Sequence, residues 1–301
     1  MDPKLKTLMT VMELESYTEA ATVLHLTQPA VSQHIKRLES IYQCKLVFFE
    51  GRVLHFTQSA YLLYDFAKIQ NAYQEVLFQK LEGVENPVSI GMTLSIADYY
   101  FPTSLRSYLI EECVNFKIKV ANTDTLLEDL KSGVIDCALV EGMFDQDIFT
   151  SHIFTEARFM PVVARNHPLA GQSVSLEKLL LYPVIVREPG SGTRSIFENW
   201  LTAHNHRLTS FQSVQEIGSF QTIKTFLKQS HAVSFMYTKV AHEEIENKAL
   251  TYLDLEDFEL KRPLHFVYLK HHLKQKEIEA IYHLTPKKKR NLLKFLFLLE
   301  H

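Results

Sequence analysis

The sequence predicts a protein of α/β class overall, with a small helix-rich N-terminal domain, a long linker helix and a C-terminal domain of two α/β lobes. Up to Phe56, apolar side chains recur at helical spacing in several short segments. A heptad pattern then extends from Thr57 to about Glu82. From Val88 onward, strand-like apolar runs alternate with helical segments, an order that predicts a mostly parallel sheet.

These patterns divide the chain into three parts, which we place at residues 1–57, 58–86 and 87–301. Gly83–Pro87 contains turn-forming residues and is expected to be a hinge. In the third part, we predict a first lobe from residues 87–161 and 265–301 and a second lobe from 162–264.

The composition is that of a globular protein. The 301 residues are 46% hydrophobic, have a formal net charge of -3 and include 3 cysteines. An odd cysteine count without metal-ligand spacing favours a reducing compartment and argues against a disulfide framework. Because we find neither a signal-peptide apolar core nor an apolar stretch of membrane-spanning length, we expect a cytoplasmic protein with no membrane partner.

The N-terminal part predicts two short helices joined by a tight turn. Thr18 is placed to cap a helix from about Glu19 to Leu24, and His25-Leu26 forms the turn. Thr27 is placed to cap the next helix, where Pro29 is tolerated in the first turn because its missing N–H would be unpaired there. This order is typical of a helix-turn-helix.

The helix after the turn has one apolar and one polar face. Val31, Ile35 and Leu38 recur at i, i+4 and i+7. The opposite side carries neutral hydrogen-bonding groups and two cations: Gln28, Ser32, Gln33, Lys36 and Arg37. Gln, Ser and His side chains can read base edges, and Lys and Arg can hold phosphates. The spacing alone leaves open a small helical domain whose polar face is simply solvated.

A hairpin follows this helix. Within Lys45–Phe56, two β-prone runs flank Glu50-Gly51, which predicts a β-hairpin wing. Lys and Arg equal Asp and Glu in number up to Phe56, so the case for DNA depends on where the charges lie.

The stretch SYTEAATVLHLTQPAVSQHIKRLE, residues 16–39, resembles the winged helix-turn-helix of LysR-type transcriptional regulators. The resemblance implies a double-stranded DNA operator or promoter as partner, with RNA polymerase as a further candidate partner. The candidate DNA-contacting residues are Thr27, Gln28, Pro29, Ala30, Ser32, Gln33, Lys36, Arg37 and Arg52. The chain departs from the family where Gln43 replaces a usual glycine and Phe49 replaces the wing arginine. Arg52 or His55 could supply the phosphate contact instead.

The predicted linker helix begins after Thr57, which can cap it. Its apolar seam is spaced 4-3-4-3 and comprises Leu62, Phe66, Ile69, Tyr73 and Val76. Such a seam can pack on its own chain or pair with a second copy, and a two-fold dimer would present two reading helices to DNA. The resemblance implies a dimer and a tetramer assembled from dimers.

The C-terminal part is expected to be a two-lobed sensor. We predict helices at Ile96–Ile110 and Phe220–Lys228 among strands such as Val88–Met92. This order is similar to that of periplasmic-binding-protein-like domains, which the LysR-type family carries. The stretches GVIDCALVEG, NHPLA, IVREPGSGTR and GSFQTIK resemble its effector domains.

Ligands of such sheets bind beyond the carboxyl ends of strands, at helix N-termini. The candidate effector-binding residues there are Thr93, Ser95, Glu141, Ser191, Gly192, Thr193 and Ser219. Their hydroxyls and backbone N–H groups could clamp a small anion such as a carboxylate between the lobes, and Glu141 could accept from an amine or hydroxyl. The alternative is that these Ser, Thr and Gly residues are only caps and turns.

Other classes of protein remain as alternatives. An enzyme or a solute-binding protein could use the same lobes, but no catalytic set stands at motif spacing and no export signal precedes the chain. We therefore expect no enzyme and no cofactor. The pairs His271-His272 and His204-x-His206 lack the further ligands of a zinc site and are expected at the surface. The third alternative is a DNA-binding architectural protein that does not respond to metabolites.

Overall fold

The computed structural model describes residues 1–51, 53–82, 88–111, 116–270, 272 and 274–285. Arg52, the expected hinge at Gly83–Pro87 and His271 therefore lie outside the described residues. The chain forms two compact units, one of Met1–Asn86 with Lys131–Val134 and one of Pro87–Leu130 with the chain from Ile135 onward.

The first unit has four helices and a hairpin among its described residues: α1 Pro3–Leu14, α2 Tyr17–Val23, α3 Gln28–Tyr42, β1 Val47–Glu50, β2 Val53–Phe56 and α4 Gln58–Leu81. The predicted cap of α3 is confirmed, because the Thr27 hydroxyl accepts the backbone N–H of Ala30. The predicted cap of α2 is wrong. Ser16 has the extended backbone that an N-cap requires and accepts from the N–H of Glu19, so Thr18 falls inside the first turn.

The apolar face of α3 forms the core of this unit. Ile35 and Leu38 are buried against Leu5 and Leu8 of α1, in a cluster that also includes Leu46. Burying one such side chain contributes roughly 1.5–3 kcal/mol. The core therefore fixes which face of α3 is turned outward.

The wing is attached to both neighbouring helices. Strands β1 and β2 pair antiparallel from Val47↔Phe56 to Glu50↔Val53, which confirms the predicted hairpin. The Glu39 carboxylate of α3 accepts the backbone N–H of Leu46 at 3.0 Å, and the Thr57 hydroxyl donates to the carbonyl oxygen of Lys45 at 2.6 Å. These bonds hold the hairpin beside the end of α3.

Helix α4 leaves much of its apolar seam uncovered in the single chain. Thr57 caps the helix as predicted, since its hydroxyl accepts the N–H of Ala60 at 3.2 Å. Of the seam residues, Val76 is buried, whereas Leu62 is 65% exposed and Phe66 is 46% exposed. The exposed stripe faces away from the core of its own unit.

The second unit holds the remaining elements. In chain order its strands are β3 Val88–Met92, β4 Phe116–Val120, β5 Cys137–Val140, β6 Phe149–Ala164, β7 Ser173–Val174, β8 Pro183–Val186, β9 Ser213–Glu216, β10 Val233–Tyr237, β11 Leu250–Tyr252, β12 Asp254–Leu255 and β13 Leu260–Leu269. Its helices are α5 Thr103–Glu111, α6 Thr123–Lys131, α7 Leu176–Leu179, α8 Gly192–Ala203, α9 Phe220–Lys228, α10 His242–Glu246 and α11 Gln275–His283, with a π-helical turn at Ile96–Tyr100 and a 3-10 turn at Leu208–Ser210.

One nine-stranded sheet runs through both lobes, in the order β4-β3-β5-β13-β6-β10-β8-β9, with β11 pairing β6. The expected parallel pairing is confirmed within each lobe, for β3 with β4 and β5 and for β8 with β9 and β10. It is wrong at the centre, where β6 and β13 pair antiparallel from Phe149↔Leu269 to Phe159↔Leu260. These two long strands connect the lobes and run in opposite directions.

The predicted helix Ile96–Ile110 is interrupted. It consists of the π-helical turn and α5, separated at Phe101-Pro102. A proline disfavours helical backbone at the residue before it, and Phe101 has a non-helical ψ of 121°. Strand β9 was not predicted, because all four of its residues are exposed and it lacks an apolar signal.

The buried carboxylate of Asp136 connects the start of α11 to the first lobe. Asp136 accepts the backbone N–H of Ser89 at 2.8 Å and the Nζ of Lys274 at 3.1 Å. His272 lies with its Nε2 3.7 Å from the same carboxylate and is 6% exposed, so its expected surface position is wrong. None of the helices described here is both long and apolar enough to cross a membrane.

Removal of this carboxylate is expected to destabilise the second unit. Asp136→Ala leaves the Ser89 N–H and the Lys274 ammonium without their acceptor, which costs about 3–5 kcal/mol for a buried pair. Chemical denaturation measures the change, with Asp147→Ala as the control because Asp147 is exposed in the loop before β6. The control should stay within about 0.5 kcal/mol. Equal stability of both variants would show that Asp136 contributes little.

Candidate functional site

The polar face of α3 is turned to solvent. Most of its predicted contact residues are exposed, namely Thr27, Gln28, Pro29, Gln33, Lys36 and Arg37, and Ala30 and Ser32 are half-buried. His34 is different, because its Nδ1 lies 2.8 Å from the Thr7 hydroxyl of α1. That contact ties His34 to the neighbouring helix, so the base-reading candidates on this face are the glutamines and Ser32.

Aromatic side chains occupy the outer surface of the wing. Phe48 and Phe49 are 42% and 60% exposed. The ring of Phe48 stacks on His55 with centroids 5.4 Å apart, and that of Phe49 lies 6.1 Å from Tyr17 of α2. The wing therefore presents an apolar surface at the position where the resemblance placed an arginine.

The wing and α3 share one concave surface. A cavity of about 490 Å³ lies between α2, α3 and the hairpin, and its lining includes Gln28, Ser32, Lys36 and Phe49. Sequence reasoning missed Tyr17 and Phe49 as part of this surface, because nothing in their local spacing shows that the hairpin folds back towards α2.

In the second unit, the candidate residues lie at the carboxyl ends of parallel strands. Thr93 and Ser95 follow β3, Glu141 follows β5, and Ser191 and Thr193 follow β8. Because these strands belong to the two lobes of one sheet, their loops converge where the lobes meet. Ser219 follows β9, which is parallel to β8, and its hydroxyl caps α9 by accepting the N–H of Thr222.

Glu141 is the centre of a buried hydrogen-bond group. Its Oε2 accepts from the Thr93 hydroxyl at 2.5 Å, its Oε1 from the Ser95 hydroxyl at 2.8 Å, and its carbonyl oxygen from the Thr123 hydroxyl at 2.9 Å. Glu141, Thr93 and Ser95 are each no more than 3% exposed. Burial raises the pKa of the Glu141 carboxyl, while the two hydroxyls and the charge of Arg187 act in the opposite direction.

The second lobe packs directly on Glu141. A Cβ atom added at Gly192 would lie 2.5 Å from the Glu141 carbonyl oxygen and 2.7 Å from its Cγ. The Asn122 side chain donates to the Pro189 carbonyl oxygen at 3.3 Å, and the Asp124 N–H donates to that of Gly190 at 3.2 Å. The two lobes are therefore in contact here, and only a residue without a side chain fits at Gly192.

Beside this contact lies a cavity of about 240 Å³. It is lined by the first residues of two helices, one from each lobe, and by the loops before them: Thr123, Asp124, Gly142, Met143, Pro189, Gly190, Ser191, Gly192, Arg194, Ser195 and Glu198. Ser191 stands at the N-cap of α8, but its hydroxyl lies 2.9 Å from that of Thr193 and makes no cap bond to the helix. The Arg194 guanidinium contacts Glu198 and Glu216, each at 2.8 Å.

The predicted effector residues thus fall into three groups. Thr93 and Ser95 both bind Glu141, Gly192 meets Glu141 from the other lobe, and Ser191 and Thr193 beside it bind each other. Ser219 joins neither group and does not line the cavity.

Several residues near Glu141 gave no sequence signal. The Tyr100 and Tyr237 rings pack edge to face, with their centroids 5.8 Å apart. The Nζ of Lys239 lies 4.6 Å from the centre of the Tyr100 ring. Arg187 stacks over Phe220 at 4.6 Å. These contacts connect residues that are far apart in the chain, so no local motif predicts them. Over the residues that the structure describes, no three potential metal ligands are grouped together.

Comparisons with known proteins cover both units. The family model described as bacterial regulatory helix-turn-helix protein, lysR family, matches residues 3–61, and the LysR substrate binding domain matches residues 81–285. The chain is 27% identical over 283 residues to the HTH-type transcriptional regulator CysL of Bacillus subtilis (strain 168), which covers 91% of this chain and 93% of that protein.

Solved structures share the fold. Full-length LysG from Corynebacterium glutamicum with bound effector Arg is 15% identical, with a TM-score of 0.61 over 95% of this chain and 96% of that one. The regulatory domain of CcmR from Synechocystis PCC6803 in complex with 2-PG is 21% identical, with a TM-score of 0.58 over 67% of this chain and 99% of that one. With both of its units matched to family models, this chain belongs to the LysR family of DNA-binding, effector-modulated transcriptional regulators.

Proposed function

We propose that this regulator reads a double-stranded operator with the polar face of α3, pairs with a second copy through α4, and binds a small anionic metabolite where its lobes meet. The observation that carries the effector part is the cavity of about 240 Å³ between the first turns of α6 and α8. A tetramer built from two dimers, contact with RNA polymerase and a cytoplasmic location belong to the same proposal. We also propose that the chain catalyses no reaction.

The exposure of α3 supports the DNA-reading role. The glutamines at positions 28 and 33 are exposed and able to pair bidentately with a base edge, while Lys36 and Arg37 stand beside them. The proposed contact set is the one predicted from sequence, with Arg52 of the wing included. Phe49 adds an apolar group suited to sugar edges or thymine methyl groups.

The uncovered stripe on α4 supports pairing with a second copy. Leu62, Phe66, Leu77, Phe78 and Leu81 are all large, apolar and exposed on this helix. Exposed apolar area on this scale favours a protein interface. A two-fold partner would cover it and place two copies of α3 for two half-sites.

Two helix N-termini support an anionic effector. The first turn of a helix has a partial positive charge and N–H groups without an intrahelical partner, and α6 and α8 bring two such ends to one cavity. At α6 the N–H groups of Asp124 and Thr125 already donate to Gly190 and Asn122, so α8 is the end proposed to bind the anion. The charged side chains there include Asp124 as well as Arg194, which is paired with Glu198 and Glu216, so the attraction for an anion has to come from the backbone. The ligands bound in related structures, Arg in LysG and 2-PG in the regulatory domain of CcmR, support a small polar metabolite as the effector class.

Base reading and phosphate binding should separate in two variants of α3. Gln33→Ala is expected to lose about 1–3 kcal/mol of discrimination between the operator and a mismatched site. Lys36→Ala should weaken binding to both sites alike and reduce the salt slope by about one. Fluorescence anisotropy over a salt series measures both effects on a DNA fragment obtained by selection in vitro. Unchanged binding by both variants would exclude this face of α3.

A charge in the exposed stripe of α4 should break the dimer. Phe66→Lys places an ammonium group where the partner helix would pack, whereas Glu75→Lys places one at an exposed position on another face of α4. Light scattering should find smaller species for Phe66→Lys and the native assembly for Glu75→Lys. If Phe66→Lys keeps the native mass, the copies associate elsewhere.

The anion site should depend on the cap position of α8. Ser191→Ala removes a hydroxyl that lines the cavity, and the loss of a hydrogen bond to a charged ligand corresponds to about ten- to a hundredfold in affinity. Thr202→Ala on the exposed far end of the same helix is the control. Calorimetry with phosphate, sulfate and short carboxylates identifies the anion bound by the native protein. Equal affinity in Ser191→Ala would remove this hydroxyl from the site.

A further inference from the structure

The hydroxyl pair after β3 already holds a carboxylate that belongs to the chain. Thr93 and Ser95 each donate to a different oxygen of Glu141, at 2.5 and 2.8 Å. Hydrogen bonds to an ionised acceptor are stronger than neutral ones, and here each carboxylate oxygen has its own hydroxyl donor. The two hydroxyls bind the Glu141 carboxylate as they would bind the carboxylate of a separate molecule.

The surroundings of Glu141 are rich in groups that favour an anion. Burial raises the pKa of Glu141, and the charge of Arg187 together with the two hydroxyls opposes part of that rise. The hydroxyl of Tyr237 is fully buried and has no hydrogen-bond partner among the described residues. Burial raises the pKa of Tyr237 and the charge of Glu141 adds to this, which places the two groups in one electrostatic neighbourhood. A buried glutamate is rare unless such groups compensate it.

No donor remains for a second carboxylate at the same hydroxyls. Each hydroxyl has a single proton to donate, and both protons are used on Glu141. Two carboxylates that share one donor pair also repel each other unless one takes up a proton. An external anion and Glu141 therefore exclude each other at Thr93 and Ser95.

We infer that Glu141 is a tethered internal ligand, which fills a carboxylate site formed by Thr93 and Ser95 and supports the packing of Gly192 from the other lobe. Removal of its side chain leaves a site of the right chemistry for a small monocarboxylate such as formate or acetate. This inference deepens the proposed function, on which its last consequence rests: the anionic group of the effector binds at the α8 end of the cavity and leaves Thr93 and Ser95 to Glu141.

Chemical rescue tests the internal ligand. Glu141→Ala in the full-length protein should lower Tm, and acetate should raise it again in a saturable manner, by about 2–4 °C or more. Native protein should show a clearly smaller rise than Glu141→Ala, because acetate can bind there only at the proposed α8 site. The variant should show no saturable rise with acetamide or with chloride at equal ionic strength. The triple variant with Thr93→Val and Ser95→Ala should lose the acetate response, because the donor pair is gone.

Two outcomes would overturn the inference. Equal acetate effects on native protein and Glu141→Ala would mean adventitious binding only, and a rescue that survives in the triple variant would place the acetate elsewhere. If Glu141→Ala folds only with acetate in the refolding buffer, the inference is supported.

A double-mutant cycle covers the case in which Glu141→Ala does not fold at all. Glu141→Met keeps roughly the size of the side chain and removes both acceptor oxygens, whereas glutamine would still accept from Ser95, and Ser95→Ala removes one donor. The changes that these two variants cause in the unfolding equilibrium constant should be coupled by about fivefold or more. Independent effects would refute the proposed contact. None of these measurements uses DNA or effector, so failure here leaves the α8 anion site and the DNA-binding proposal standing.

Discussion

The antiparallel pairing of β6 and β13 is the constraint on which the structure of the second unit depends. Both strands extend through the sheet between the lobes, and their register runs from Phe149↔Leu269 to Phe159↔Leu260, with one irregularity at Leu264/His265. Each lobe adds its parallel strands to one side of this pair. The carboxyl ends of β3, β5 and β8 consequently open towards the same place. The loops that carry Thr93, Glu141 and Ser191 meet because the crossing strands leave them no other position.

The first unit depends on a different constraint, which is the packing of α3 on α1. Burial of Ile35 and Leu38 against Leu5 and Leu8 leaves α3 no freedom to rotate, so Gln28, Gln33 and Lys36 must face outward. The hydrogen bond from the backbone N–H of Leu46 to the Glu39 carboxylate then holds the wing beside that face. Specific reading of DNA requires such fixed positions, since a base contact tolerates little misplacement.

Local patterns were sufficient for much of this structure. The period of Val31, Ile35 and Leu38 and the caps at Thr27 and Thr57 are properties of neighbouring residues, and the structure reproduces them. The strand at Val88–Met92 was equally readable. The contacts of Glu141 were not, because Thr93 and Ser95 lie 48 and 46 residues away and only the sheet brings them together. Sequence spacing likewise identified the Ser and Gly residues after β8 but could not show that Gly192 meets Glu141.

The contact between the lobes bears on how an effector could act. A ligand shifts a conformational equilibrium only by its difference in affinity for the two states, whatever its absolute affinity. In this chain part of the closing interaction comes from Glu141 and Gly192, which are present with or without a ligand. The lobes therefore meet through internal contacts, and the proposed anion at the first turn of α8 would add to contacts that the chain already makes. Its effect on the regulator would be set by how much more tightly it binds the arrangement in which these contacts are formed.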